Sequence, residues 1–191
     1  MANLSRARKR QLTVVGAAAS LTLAIGSMAL FTDQDSVGAN DFDTGTIVLT
    51  TSPTSALVTF ADMLPGDSTT QLLTVSNGGT GALRYAMSSA ATNADAKALR
   101  DQIVMTVRAE DAGGGCGAFT GAVVAGPMAL SAVAFGAATP GADSGDRTLA
   151  FGSSEGLCVR AALPIATGNA FQDAATTLTL TFDAEQTANN P

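Results

Sequence analysis

Hydrophobic residues fall into two regimes along the chain. Residues 12–29 form one continuous apolar run of small and aliphatic side chains, interrupted only by Thr, Ser and Gly. From residue 45 onward the apolar runs are short, alternate with Thr, Ser or Gln, and are set apart by Gly, Pro, Asn and Asp about every 8 to 12 residues. Alternation places one face of each run toward a core, so strands are expected at 45–50, 56–60, 68–76, 82–88, 103–108, 122–125, 128–135, 148–151, 157–164 and 176–182. Pro65-Gly66 carries a type II turn signal, Pro fixing φ and Gly supplying a positive φ. The run Asn77-Gly78-Gly79-Thr80-Gly81 suits a hairpin turn between its flanking strands. One short peripheral helix is expected at 93–101, where Asn93 can cap a stretch of Ala, Lys, Leu and Arg. This pattern predicts an all-β single domain, a β-sandwich or jelly roll over 44–188, preceded by an N-terminal signal helix.

The first regime has the build of a secretory signal. Arg6, Arg8, Lys9 and Arg10 make a cationic start, the apolar stretch follows, and Ser27 and Ala29 place small side chains where a signal peptidase accepts them. Cleavage between Ala29 and Leu30 is expected, making 1–29 the signal peptide. An uncleaved anchor is the alternative, since a run of about 18 residues lies at the lower limit for spanning a bilayer. In either case the remainder is placed outside the cell, touching the membrane only through the uncleaved signal.

Charge sharpens this picture. The chain carries a formal net charge of −6, and without its first 29 residues it has 6 basic and 16 acidic residues, a net of −10. No basic cluster interleaved with aromatics remains after residue 10, so nucleic-acid binding is not expected. Two cysteines, Cys116 and Cys158, lie in the exported part, where an oxidising compartment favours a disulfide over two buried thiols. It would close a loop of about 43 residues, worth roughly 4 kcal/mol in the chain-entropy account.

The search for chemistry finds no established constellation. There is no His, which removes the usual acid-base residue, the commonest metal ligand, and every Ser-His-Asp or Cys-His site. Asp33/Asp35, Asp41/Asp43 and Glu110/Asp111 are carboxylate pairs without calcium-loop spacing and read as solvated loop acids. The loop from Gly113 to Gly117 lacks the Lys-Ser/Thr of a phosphate-binding loop. No catalytic, cofactor-binding or metal site is expected, and no enzyme activity.

Leu30-Phe31-Thr32-Asp33, followed by Phe42-Asp43-Thr44-Gly45-Thr46-Ile47, resembles the start of mature TasA/camelysin-family proteins, with their F-x-x-G-T-hydrophobic pattern. Three further pieces agree in order: Leu64-Pro65-Gly66-Asp67, Leu73-Thr74-Val75-Ser76-Asn77-Gly78-Gly79, and Asn169-Ala170-Phe171-Gln172 leading to Leu180-Thr181-Phe182-Asp183-Ala184-Glu185-Gln186. The resemblance implies a jelly roll, a SipW-type signal peptide removed by a dedicated signal peptidase, and polymerisation into extracellular biofilm-matrix fibres by donor-strand exchange. The cysteine pair and the Ala/Gly-rich middle from 118 to 141 depart from that pattern. Some members have been described as metallopeptidases, which the lack of His and of HExxH argues against here.

The implied arrangement is a head-to-tail homopolymer, with an accessory or anchor protein as a further partner. An extended segment at 30–43 is the expected donor, with Leu30, Phe31 and Val37 as apolar anchors for a neighbour's open sheet edge. The alternatives are a monomeric surface or adhesive sandwich, and a secreted camelysin-like protease.

Overall fold

A computed structural model describes residues 45–54 and 63–188 of the chain. Among these residues the alternating runs become nine strands: β1 (Leu49–Ser52), β2 (Ser68–Asn77), β3 (Leu83–Ala91), β4 (Val104–Ala109), β5 (Val123–Ala129), β6 (Ala134–Phe135), β7 (Arg147–Leu149), β8 (Ser154–Ala162) and β9 (Leu178–Gln186). One helix of four residues, α1 (Leu99–Gln102), lies between β3 and β4, and a 3-10 turn at Asn169–Phe171 precedes β9. The expected strand at 56–60 and all readings on 1–43 lie outside the described residues.

The strands form two antiparallel sheets and no closed barrel. The first has the order β1-β2-β8-β4-β5. In the second, β3 pairs along its whole length with β9, so β6 and β7 share its other edge, β6 opposite Met87 and Ser88 and β7 opposite Leu83 to Tyr85. Pairing of β2 with β8 in one sheet and of β3 with β7 in the other is the nested wrap of a jelly roll. Between the sheets sit Leu73 and Val75 of β2, Met105 and Val107 of β4, and Leu157, Val159 and Ala161 of β8. Leu83, Tyr85, Met87, Phe135 and Leu149 face them from the second sheet. Tyr85 meets Phe135 edge-on with ring centroids 5.7 Å apart, and Phe182 packs on its other side.

Three local expectations are corrected. The segment Asn77 to Gly81 is not a hairpin turn, because β2 and β3 belong to different sheets. It is an arch carrying the chain across the core. Asn77 is buried and pins it: its amide donates to the carbonyls of Gly81 (2.8 Å) and Leu149 (3.2 Å), while its Oδ1 accepts the Gly79 amide (3.0 Å). Gly79 has no room for a Cβ, which would collide with the carbonyl of Thr46 on the strand lead-in beside it. Polar turn residues mark a reversal equally well whether the chain returns to the same sheet or crosses to the other.

The helix is also shorter than the 93–101 expected. Asn93 accepts the amide of Ala98 (2.7 Å) and Asp95 that of Lys97 (3.0 Å), and Ala96 and Ala98 take positive φ values of 57° and 58°. Side-chain acceptors that compete for local amides outweigh the helix propensity of Ala and Lys. Finally, Gly126-Pro127 does not separate two strands. Gly126, at φ 77°, lets β5 run through with a bulge against β4.

Candidate functional site: the open sheet edge

A sheet edge is a row of unsatisfied N–H and C=O groups, and proteins shorten, bulge or cover such rows to prevent unwanted pairing. Among the described strands, four outer strands are blunted in this way. β1 has four residues, β6 two and β7 three, and β5 is broken by its Gly-Pro bulge. β9 is different. It is nine residues long, contains no Pro, Gly or Lys, and pairs only with β3 among the described residues.

The side chains of β9 show why its sequence sits at an edge. Leu178, Leu180, Phe182 and Ala184 alternate inward and pack against the core, yet remain half-buried, whereas β3 beside them is buried from Leu83 to Met87. A further strand alongside would cover the rest of this row. On one side of the sandwich β5 lies beside β6, and among the described strands β9 and the short β1 are the outer strands at the other ends of the two sheets. On the outer face of β9, Glu185 pairs with Arg84 and accepts the amide of Gly141.

Cys116 and Cys158 are joined, with Cα atoms 5.4 Å apart. Cys158 points outward from β8 but is fully buried, because the loop from Glu110 to Gly121 folds over the outer face of the first sheet. Phe119 is stacked under Arg160, whose guanidinium lies 3.7 Å from the ring centre, with Arg108 at 5.1 Å. Asp111 organises the loop end by accepting the amides of Ala118, Phe119, Thr120 and Gly121. These bonds, that from Thr120 foremost, hold its carboxyl below the usual Asp range. Its contribution to loop order is therefore complete above the unfolded-state value and is lost as pH falls through the lower folded-state value. In an acid titration followed by NMR, the amide shifts of Thr120 and Gly121 are expected to move with a midpoint below about 3.9, the ordinary Asp value; a midpoint at or above it would contradict this role.

A second polar group, partly buried, centres on Tyr85. The Tyr85 hydroxyl donates to Glu155, which also takes a bidentate pair from Arg147. Burial first, and then the Glu155 carboxylate, push the Tyr85 phenol far above its ordinary range; Glu155 in turn raises Arg147. The group is neutral Tyr against a half-buried ion pair, whose Arg147 and Glu155 side chains stay 30% and 20% exposed.

The signal cleavage site Ala29/Leu30 and the donor residues Leu30, Phe31 and Val37 lie outside the described residues. The expected disulfide is present. What sequence reading missed is β9 as the open edge. Its alternation was visible, but the identity of a strand's neighbours is not encoded in its own pattern.

Among the described residues, the fold is a disulfide-bound antiparallel β-sandwich with one long outer strand, β9, paired on one side only. Among curated proteins none matches the chain. The family model for camelysin metallo-endopeptidase matches residues 6–102, just over half of the chain, and the chain belongs to the camelysin family.

The family's description implies a metal, and the residues here can be tested against one. The chain has no His, and both cysteines are spent in the disulfide. Carboxylates are the remaining strong donors, and among the described residues no three acidic or cysteine side chains come together. Glu110 and Asp111, adjacent in sequence, are turned onto backbone amides of their own loop. The described residues do not fit the His-containing donor set of a peptidase zinc. Asp33, Asp35, Asp41 and Asp43 lie outside them.

Proposed function

We propose that this camelysin-family chain is an exported structural subunit of extracellular, biofilm-type fibres. In this reading residues 1–29 are removed by a signal peptidase and the new N-terminal segment, 30–40, adds as a strand to the next copy. The observation that carries it is β9: nine residues without Pro, Gly or Lys, paired on one side only among the described residues, with a half-covered inward row of Leu178, Leu180, Phe182 and Ala184. At about 3.4 Å per residue this edge is roughly 30 Å long, the reach of a donor of that length. Backbone pairing would supply affinity, and Leu30, Phe31 and Val37 would supply the apolar contacts. Head-to-tail addition does not close on itself, so it yields a filament. An attached signal peptide would withhold the donor until export.

The absence of His and the lack of HExxH favour this structural role over peptide hydrolysis. An accessory or anchor protein is a further proposed partner. Deleting residues 30–37 from the protein secreted by an expressing bacterium is expected to abolish filaments in negative-stain electron microscopy while leaving a folded monomer. Filaments unchanged in number and length would overturn the donor assignment.

A further inference from the structure

The sandwich has two poles with exposed apolar side chains. At one, the chain enters the fold: Thr46 and Val48 accept the amides of Thr80 and Gly78 on the arch (2.9 and 2.8 Å), and the β7–β8 turn lies beside it through the bond from the Asn77 amide to the Ser153 carbonyl (2.9 Å). This entry pole exposes Ile47, Val48 and Phe151 by 39%, 42% and 65%. The far pole is formed by the Pro65-Gly66 turn and the end of β8, tied by the bond from the Gly66 amide to the Leu163 carbonyl (2.7 Å), and it exposes Leu64 and Ile165 by 68% and 84%. Register separates the poles by the whole length of β2, since Ser68 pairs with Ala162 at one and Ser76 with Ser154 at the other.

We infer that these two patches are the subunit contact itself: the entry pole of one copy seats Ile47, Val48 and Phe151 against Leu64 and Ile165 at the far pole of the next copy. The inference rests on the donor-strand reading above and adds polarity to it. Whatever precedes Gly45 leaves from the entry pole, so a donor that reaches another copy brings that pole with it. The approach has one consistent direction. β9 starts at the far pole, where Leu178 pairs with Ala91, and ends at the entry pole, where Gln186 pairs with Leu83. A donor crossing from the neighbour's entry pole arrives at Leu178 with its C-terminal end and points Leu30 toward Gln186. It therefore runs antiparallel to β9, as every other pair in the sandwich does. Apolar side chains this exposed on both contact faces are what a second copy would bury.

The test uses secreted full-length protein carrying Leu64→Asp and Ile165→Asp together. These residues are exposed, so the melting temperature is expected to stay within a few degrees of wild type, whereas seeded filament growth falls at least tenfold. The variant keeps its donor and entry pole, so a tenth part of it mixed with wild type is expected to shorten the filaments by occupying one end. A photoreactive analogue at Phe31 is expected to cross-link to the Phe182–Gln186 end of β9. Normal growth of the variant, or cross-links confined to the Leu178 end, overturns the polar contact while leaving the donor reading standing. Absence of filaments from wild type overturns both.

Discussion

Replacing Cys116 and Cys158 together by Ser is expected to lower the unfolding free energy by about 4 kcal/mol, measured as a shift in the denaturant midpoint under oxidising conditions. The bridged residues are 42 apart, so the bond removes considerable entropy from the unfolded chain. Its removal also frees the loop that buries Cys158, and with it the Phe119 ring stacked on Arg160. Wild-type protein in excess reductant should move to the same midpoint. A shift under about 1 kcal/mol would mean that the hydrophobic core holds this loop without help. Filaments of the reduced protein should still pair through β9, which lies in the other sheet.

Tyr85→Ala is expected to cost about 3–5 kcal/mol, the usual range for removing a buried aromatic side chain. Its ring is the centre of the aromatic cluster between Phe135 and Phe182, and β3, which carries it, pairs with three strands. The hydroxyl and the ring separate experimentally. Tyr85→Phe keeps the packing, and Glu155 retains its bidentate partner in Arg147. A loss of about 1 kcal/mol is expected for it, read from the same denaturant curves. Equal losses for the two variants would place the stabilisation in the polar network rather than in the ring.

The all-β fold was legible because alternation is local. In 68–76 Leu73 and Val75, two positions apart, both point to the core while Leu72 faces out, and the strand forms one residue longer than expected, as Ser68–Asn77. The Pro65-Gly66 turn was legible for the same reason: Gly66 adopts φ 102°, and the amide of Asp67 closes on the carbonyl of Leu64 (2.9 Å). What failed was decided by partners distant in sequence. The arch at Asn77 depends on the carbonyl of Leu149, 72 residues away. The helix at 93–101 was shortened in part by Asp95, which also accepts the amide of Ala175, 80 residues on. The open edge belongs to this second kind. LTLTFDAEQ reads as a strand anywhere, and only its place beside β3, its one strand partner among the described residues, makes it an outer strand.

The family resemblance was readable from short pieces in order, and the camelysin match over residues 6–102 agrees with it. In the proposed assembly, a fibre forms when the leading segment of one copy meets β9 of another. Equal amounts of isotopically heavy and light protein, each carrying the photoreactive residue at Phe31, would be assembled together, irradiated and digested. The account predicts peptides of mixed label joining the donor to β9 at Leu178–Gln186, in numbers equal to those of single label. Cross-links that always join heavy to heavy and light to light would show that each chain keeps its own leading segment, and the account would be wrong.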